Sequence, residues 1–236
     1  LGAQIDVAFM AGYHQCGDHP EDPEAVRAYI DRSISDLAAL RSKNPAMKVH
    51  VEYVPAKVRE MERELYEKLS QQIDSFGINE TETRAVLRRF GHDDLASQLE
   101  EKESAYLLYK AGAAFLRDLN VERVHIHNLG YYVVVLAKPY GKTAREVRDA
   151  CLFASAVNVR KAMAGGYVMI EDVPKAAELP LSDIGFNQLE AFAAQAFGDT
   201  DSEEARLFMA EGIFETPDHT VIVTPAHVAP NPVVTV

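Results

Sequence analysis

The sequence predicts an α/β layer structure with a mostly parallel sheet, and three observations carry that prediction. Short apolar runs suited to strands alternate with amphipathic helical stretches along the whole chain. Several runs stop at a Gly- or Asn-containing loop (Ala11 to His14, Gly77 to Asn79, Asn128 to Gly130), as at the carboxyl edge of an open sheet, where ligands bind. No linker, internal repeat or low-complexity run interrupts the 236 residues, so no separate second domain is expected.

The first strand is Ile5 to Met10, apolar enough to be buried on both faces. His14, in the loop after it, is either a ligand contact or a partly exposed loop histidine. Glu21-Asp22-Pro23-Glu24 starts a helix, with acids near its positive end and Pro in its first turn. Val26, Ile30, Ile34, Leu37 and Leu40 carry one apolar face to about Lys43, and Asn44-Pro45 closes it. Lys48 to Val54 is the next strand, with His50 and Glu52 projecting from one face. A polar pair in a buried strand costs free energy unless paired or solvated. It is either a His–Glu hydrogen bond pinning neighbouring elements or an anchor for a divalent cation.

A charged helix over Ala56 to about Gln72 turns Val58, Met61, Leu65 and Leu69 to the core. Ile73 to Phe76 is a short buried strand expected to break at Gly77. Asn79 then caps a helix reaching Phe90, with Glu80 and Glu82 in its first turn. Asn-x-x-Glu reads either as a capping box or as a metal or phosphate site. A short helix to about Glu101 and an amphipathic one over Ser104 to Leu119 follow.

Glu122 to Leu136 forms two strands broken at Asn128 to Gly130. His125 and His127 share a strand face, a spacing open to a transition metal, or to phosphate contact by His127 and the amides around Gly130. Arg145 to Ala164 is a long helix ended by Gly165-Gly166. Glu171 to Pro180 is a loop, Phe186 to Phe197 a helix and Gly198 to Glu203 a polar, mobile connection. Gly212 to Glu215 and Thr220 to Val223 flank Pro217-Asp218-His219 as a hairpin, and Thr224 to Val236 is extended.

The formal charge of −12, with no run of Lys or Arg, argues against a nucleic-acid or anionic membrane partner. A phosphate ligand would then need helix ends, a few basic side chains or a divalent cation. Cys16 and Cys151 lie far apart and outside any CxxC, which indicates a reducing compartment, the cytoplasm by default. The longest apolar run, Tyr131 to Ala137, is too short to span a bilayer, and no signal peptide is present. A chain entering a strand almost at once and ending on an extended segment reads as part of a longer protein.

His50-Val51-Glu52 resembles the HxE motif, and Asn79-Glu80-Thr81-Glu82 the NxxE motif, of the ADP-dependent sugar kinases, the archaeal-type glucokinases and phosphofructokinases. Arg123-Val124-His125-Ile126-His127-Asn128-Leu129-Gly130-Tyr131-Tyr132 is similar to that family's R-I-H-x-H-T-x-G-Y-Y block, with Asn128 in place of Thr. Gly12-Tyr13-His14, Glu146 to Ala150 and Pro225 to Val236 match in the same order.

The resemblance implies a ribokinase-like three-layer α/β/α fold, with residues 1–236 a partial nucleotide-binding large domain. The N-terminal half, the lid and a G-x-G-D loop with its catalytic Asp would lie outside, leaving no catalytic residue here and this chain inactive alone. It implies transfer of the β-phosphoryl of ADP to glucose or fructose 6-phosphate, giving AMP. Glu52 and Glu82 would hold the water shell of Mg²⁺, with Asn79 and His50 orienting them. His127, Asn128 and Gly130 would line the phosphates or ribose, and Val223 and Pro225 would wall the adenine. The alternatives are a non-catalytic nucleotide-binding relative and a His-based metalloenzyme.

Overall fold

Chain contacts in the computed structural model separate two compact units, Leu1–Lys102 with Lys110–Ile126, and Glu103–Tyr109 with His127–Val236. The structure describes residues 2–11, 19 and 21–229. The cut passes through a helix and the last residue of a strand, so no linker composition marks it. His14 and Cys16, and the end of the Pro225 to Val236 run, lie outside the described residues.

In the first unit the strands follow the order β1 (Val7–Met10), β2 (Lys48–Glu52), β3 (Ser75–Asn79), β4 (Arg123–His127). β1, β2 and β3 are parallel, with Glu52 opposite Gly77. Helices α1 (Pro23–Arg41), α2 (Glu62–Leu69), α3 (Glu80–Arg89) and α4 (Asp93–Glu101) connect them, with most of α5 (Ala105–Leu119). Asp22 caps α1, its carboxylate accepting the Glu24 N–H at 3.0 Å, and Val26, Ile30 and Leu37 are buried as the apolar period requires. Tyr53, Tyr66, Phe76, Phe115 and Phe90 meet in tilted and edge-on pairs at the centre of this unit.

Three expectations change here. The first strand is not buried on both faces: Val7 and Phe9, on one of them, are 65% and 67% exposed, and among the described residues β1 ends the strand order. The second helix starts at Glu62, after a single 3-10 turn, rather than at Ala56. The Glu62 side chain, 1% exposed, accepts from Ala56 N–H at 2.8 Å and the Tyr53 hydroxyl at 2.9 Å, and pairs with Arg59 and Arg89. Those bonds hold residues 53–59 in a loop. Burial, then the Glu62 charge, pushes the Tyr53 phenol above its ordinary range, so it stays a donor. Finally, β3 runs straight through Gly77.

The second unit carries β5 (Tyr131–Ala137), β7 (His219–Pro225) and β6 (Ile213–Glu215) in that order, all antiparallel. The strands are therefore mixed rather than mostly parallel. The tight turn at Pro217-Asp218 reverses the chain, and β7 then pairs with β5 through its other edge.

Helix α6 (Ala144–Ala164) opens with a reciprocal capping box between Thr143 and Glu146 and closes at Gly165, φ 67°. Thr143→Ala is expected to cost about 1 kcal/mol in urea unfolding. A short helix, α7 (Val173–Ala177), replaces part of the expected loop because Val173 and Ala176 bury against Ala156 and Val159. α8 (Asp183–Phe197) starts three residues earlier than its apolar pattern suggests.

The sequence reading did not foresee α9 (Glu203–Glu211). Ser202 caps it, and Phe208 stacks on Phe192 with centroids 4.6 Å apart. Among the described residues no helix is long and apolar enough to cross a membrane.

Candidate functional site

Parallel pairing sets the carboxyl ends of β2 and β3 side by side. Gly77 is buried between them, and a Cβ there would overlap the Glu52 carboxylate and stand 2.8–2.9 Å from the His50 ring. The glycine makes the space in which that pair lies across β3. His50 Nε2 is 3.3 Å from Glu52 Oε2, and its Nδ1 is 2.9 Å from Ser75 Oγ. The His50 side chain is 11% exposed, with the Phe9 ring 4.8 Å from its own. The polar pair inside a buried strand is thus satisfied by bonding.

Two residues beyond Gly77, on the same strand face, Asn79 caps α3. Its Oδ1 accepts the Glu82 N–H at 2.8 Å, while the Glu82 carboxylate accepts the Asn79 N–H at 3.2 Å. The capping box is therefore formed, with Glu80 and Glu82 at the positive end of the helix.

This donor set suits Mg²⁺, which takes one or two carboxylates and keeps several waters. The recess left by the absent Gly77 side chain is what seats one of those carboxylates. Among the described residues no group of three or more His, Cys, Asp or Glu side chains is placed to hold a metal ion, and His125 and His127 belong to none. A hydrated cation needs no such cage.

In the second unit His127 ends β4 and Asn128 turns the chain toward β5. The Asn128 N–H donates to the Tyr131 carbonyl at 3.0 Å, and its Oδ1 accepts from Gly130 N–H at 3.4 Å. Its Nδ2 donates to Glu103 Oε1 at 2.8 Å, which also accepts from the Tyr131 hydroxyl at 3.2 Å. A threonine here has no amide to reach Glu103. Glu103 escaped the sequence reading because an acid beside a helix start looks merely solvated.

Gly130 and Gly185 allow close approach. A Cβ on Gly185 would stand 2.6 Å from the Pro225 Cα and 2.8 Å from the Gly130 carbonyl, and one on Gly130 would stand 2.8 Å from Ser182 Oγ. Ala226 N–H donates to Gly130 O at 3.0 Å, and Ser182 N–H to Ala226 O at 2.8 Å. The start of β5, the first turn of α8 and the end of β7 are thereby knitted together. Val223 and Pro225 are buried in this knot, so their side chains back it rather than face solvent. Leu129, Ile184 and Phe186 are exposed apolar side chains beside it.

A model of the ADP-specific phosphofructokinase/glucokinase conserved region matches residues 2–236. An ADP-specific phosphofructokinase of Methanosarcina acetivorans is 29% identical over 98% of this chain, and an ADP-dependent glucose/glucosamine kinase of Pyrococcus abyssi 27% identical over 100%. These matches cover 48% and 47% of the two relatives, so the chain spans about half their length. A solved ADP-dependent kinase in complex with fructose-6-phosphate and ADPβS is similar over 100% of this chain and 51% of its own, with TM-score 0.84 and 27% identity. The reconstructed last common ancestor of the Methanosarcinales ADP-dependent phosphofructokinases gives a TM-score of 0.85 at 27% identity, with 100% of this chain and 48% of that one covered. With a conserved-region model matched almost end to end, the chain belongs to the ADP-specific phosphofructokinase/glucokinase family.

Proposed function

We propose that this chain supplies the cation- and nucleotide-holding part of an ADP-dependent kinase that passes the β-phosphoryl of ADP to a hydroxyl of glucose or fructose 6-phosphate, leaving AMP. The observation that carries the reading is Glu52 seated over Gly77, beside the strand that ends in the Asn79–Glu82 cap. Phosphoryl transfer depends on positioning and on neutralising charge more than on covalent help from the protein. Mg²⁺, when bound, supplies that neutralisation. Glu52 and Glu82 hold its water shell, His50 steadies Glu52, and Asn79 steadies Glu82 through the cap. His127, Asn128 and Gly130 meet the phosphates or ribose, while Val223 and Pro225 back the surface that receives the adenine. No residue of this chain is assigned as the base.

Calorimetric titration of ADP into the full-length gene product tests the reading. Mg²⁺ is expected to tighten binding, and Glu52→Gln to reduce that gain about 10-fold. ADP binding that ignores Mg²⁺, or no binding at all, overturns it.

A further inference from the structure

We propose that Ser75, itself held by Arg123, is a positioning residue that donates to Nδ1 of the neutral His50 ring and, through that ring, holds the orientation of the Glu52 carboxylate. The importance of Glu52 rests on the cation reading above; the tautomer does not. The four side chains come from three strands and form one directional chain of hydrogen bonds. Arg123 Nη1 stands 3.2 Å from Ser75 Oγ, and a guanidinium can only donate. Ser75 therefore accepts from Arg123 and has one proton of its own to give. His50 Nδ1, at 2.9 Å, receives it. A neutral imidazole that accepts at Nδ1 carries its proton on Nε2, which points at Glu52 Oε2 3.3 Å away.

The Glu52 end decides the assignment, since a carboxylate only accepts. With the proton on Nδ1 instead, Ser75 could accept from both Arg123 and His50, but the Nε2 lone pair would oppose the Glu52 oxygen. Glu52 thus sets the tautomer, and Ser75, anchored by Arg123, completes it at Nδ1. Gly77 leaves the recess in which the terminal carboxylate lies.

Nitrogen-15 NMR of the labelled full-length gene product reads the tautomer directly. The expected spectrum has His50 protonated on Nε2, with Nδ1 showing the shift of a hydrogen-bonded acceptor. Glu52→Gln keeps that tautomer, because an amide oxygen accepts as the carboxylate does. Ser75→Ala moves the Nδ1 resonance to that of an unbonded nitrogen, and Ser75→Thr, which keeps the hydroxyl, restores it. A wild-type ring protonated on Nδ1, or an Nδ1 resonance indifferent to Ser75→Ala, overturns the relay.

Mn²⁺ binding by the same variants in the full-length gene product, followed by electron paramagnetic resonance, addresses Glu52 separately. Loss of the outer partner is expected to weaken Mn²⁺ about 10-fold in Ser75→Ala and not in Ser75→Thr. If the tautomer behaves as stated while Mn²⁺ affinity does not move in Ser75→Ala or in Glu52→Gln, the relay stands and the cation reading falls.

Discussion

Glu82→Gln is expected to lower magnesium-dependent turnover of the full-length gene product about 100-fold or more, the equivalent of several kcal/mol of transition-state stabilisation. The substitution separates the two tasks of this side chain. Glutamine at the third helical position can still accept the Asn79 N–H, so the reciprocal cap survives and the urea midpoint changes little. What disappears is the negative charge at the mouth of the sheet. Turnover and magnesium dependence equal to the parent enzyme's would show that capping is the whole role of Glu82. Truncation to Ala is less informative, since it removes cap and charge together.

Gly212→Ala is expected to destabilise the second unit by about 3 kcal/mol or more, two costs adding. Gly212 ends α9 at φ 66°, where an L side chain is strained. Its Cβ would also overlap the Val223 carbonyl oxygen, and Val223 N–H donates to the Gly212 carbonyl at 2.8 Å. Backbone faces backbone, so no flexible side chain can yield. Gly165 serves as the comparison, with φ 67° at the end of α6 and nothing within 4 Å of its Cβ position. Gly165→Ala should show only the conformational cost, about 1 kcal/mol. Equal losses for the two variants in urea unfolding, followed by near-ultraviolet circular dichroism, would remove the steric part of the explanation.

Elements whose signals are local were legible in the sequence. The helix start at Glu21 to Glu24, the Asn79 cap, the apolar face of α1 and the hairpin turn at Pro217-Asp218 follow from residue type and spacing, and all are present. What escaped depended on neighbours distant in the chain. Gly77 looks like a strand breaker until Glu52 and His50, more than twenty positions earlier, are seen lying over it. The helix expected from Ala56 gives way to a loop because a buried Glu62 collects donors from that stretch. α7 forms where a loop was expected because two of its residues find a cover on α6.

The candidate site was legible in its letters and not in its wiring. His50, Glu52, Asn79 and Glu82 stand out by polarity against an apolar strand or a helix start. Ser75 and Glu103 do not, since their importance is a hydrogen bond to a residue 25 positions away in each case. Arg123 was visible as part of a motif, but its partner was not.

The outermost strand has a practical corollary. Among the described residues Val7 to Met10 pairs along one rim only, and Val7 and Phe9 turn apolar side chains to water, so its other rim can accept a further extended segment. A lysine in place of Phe9 would guard that rim against edge-to-edge pairing with another chain.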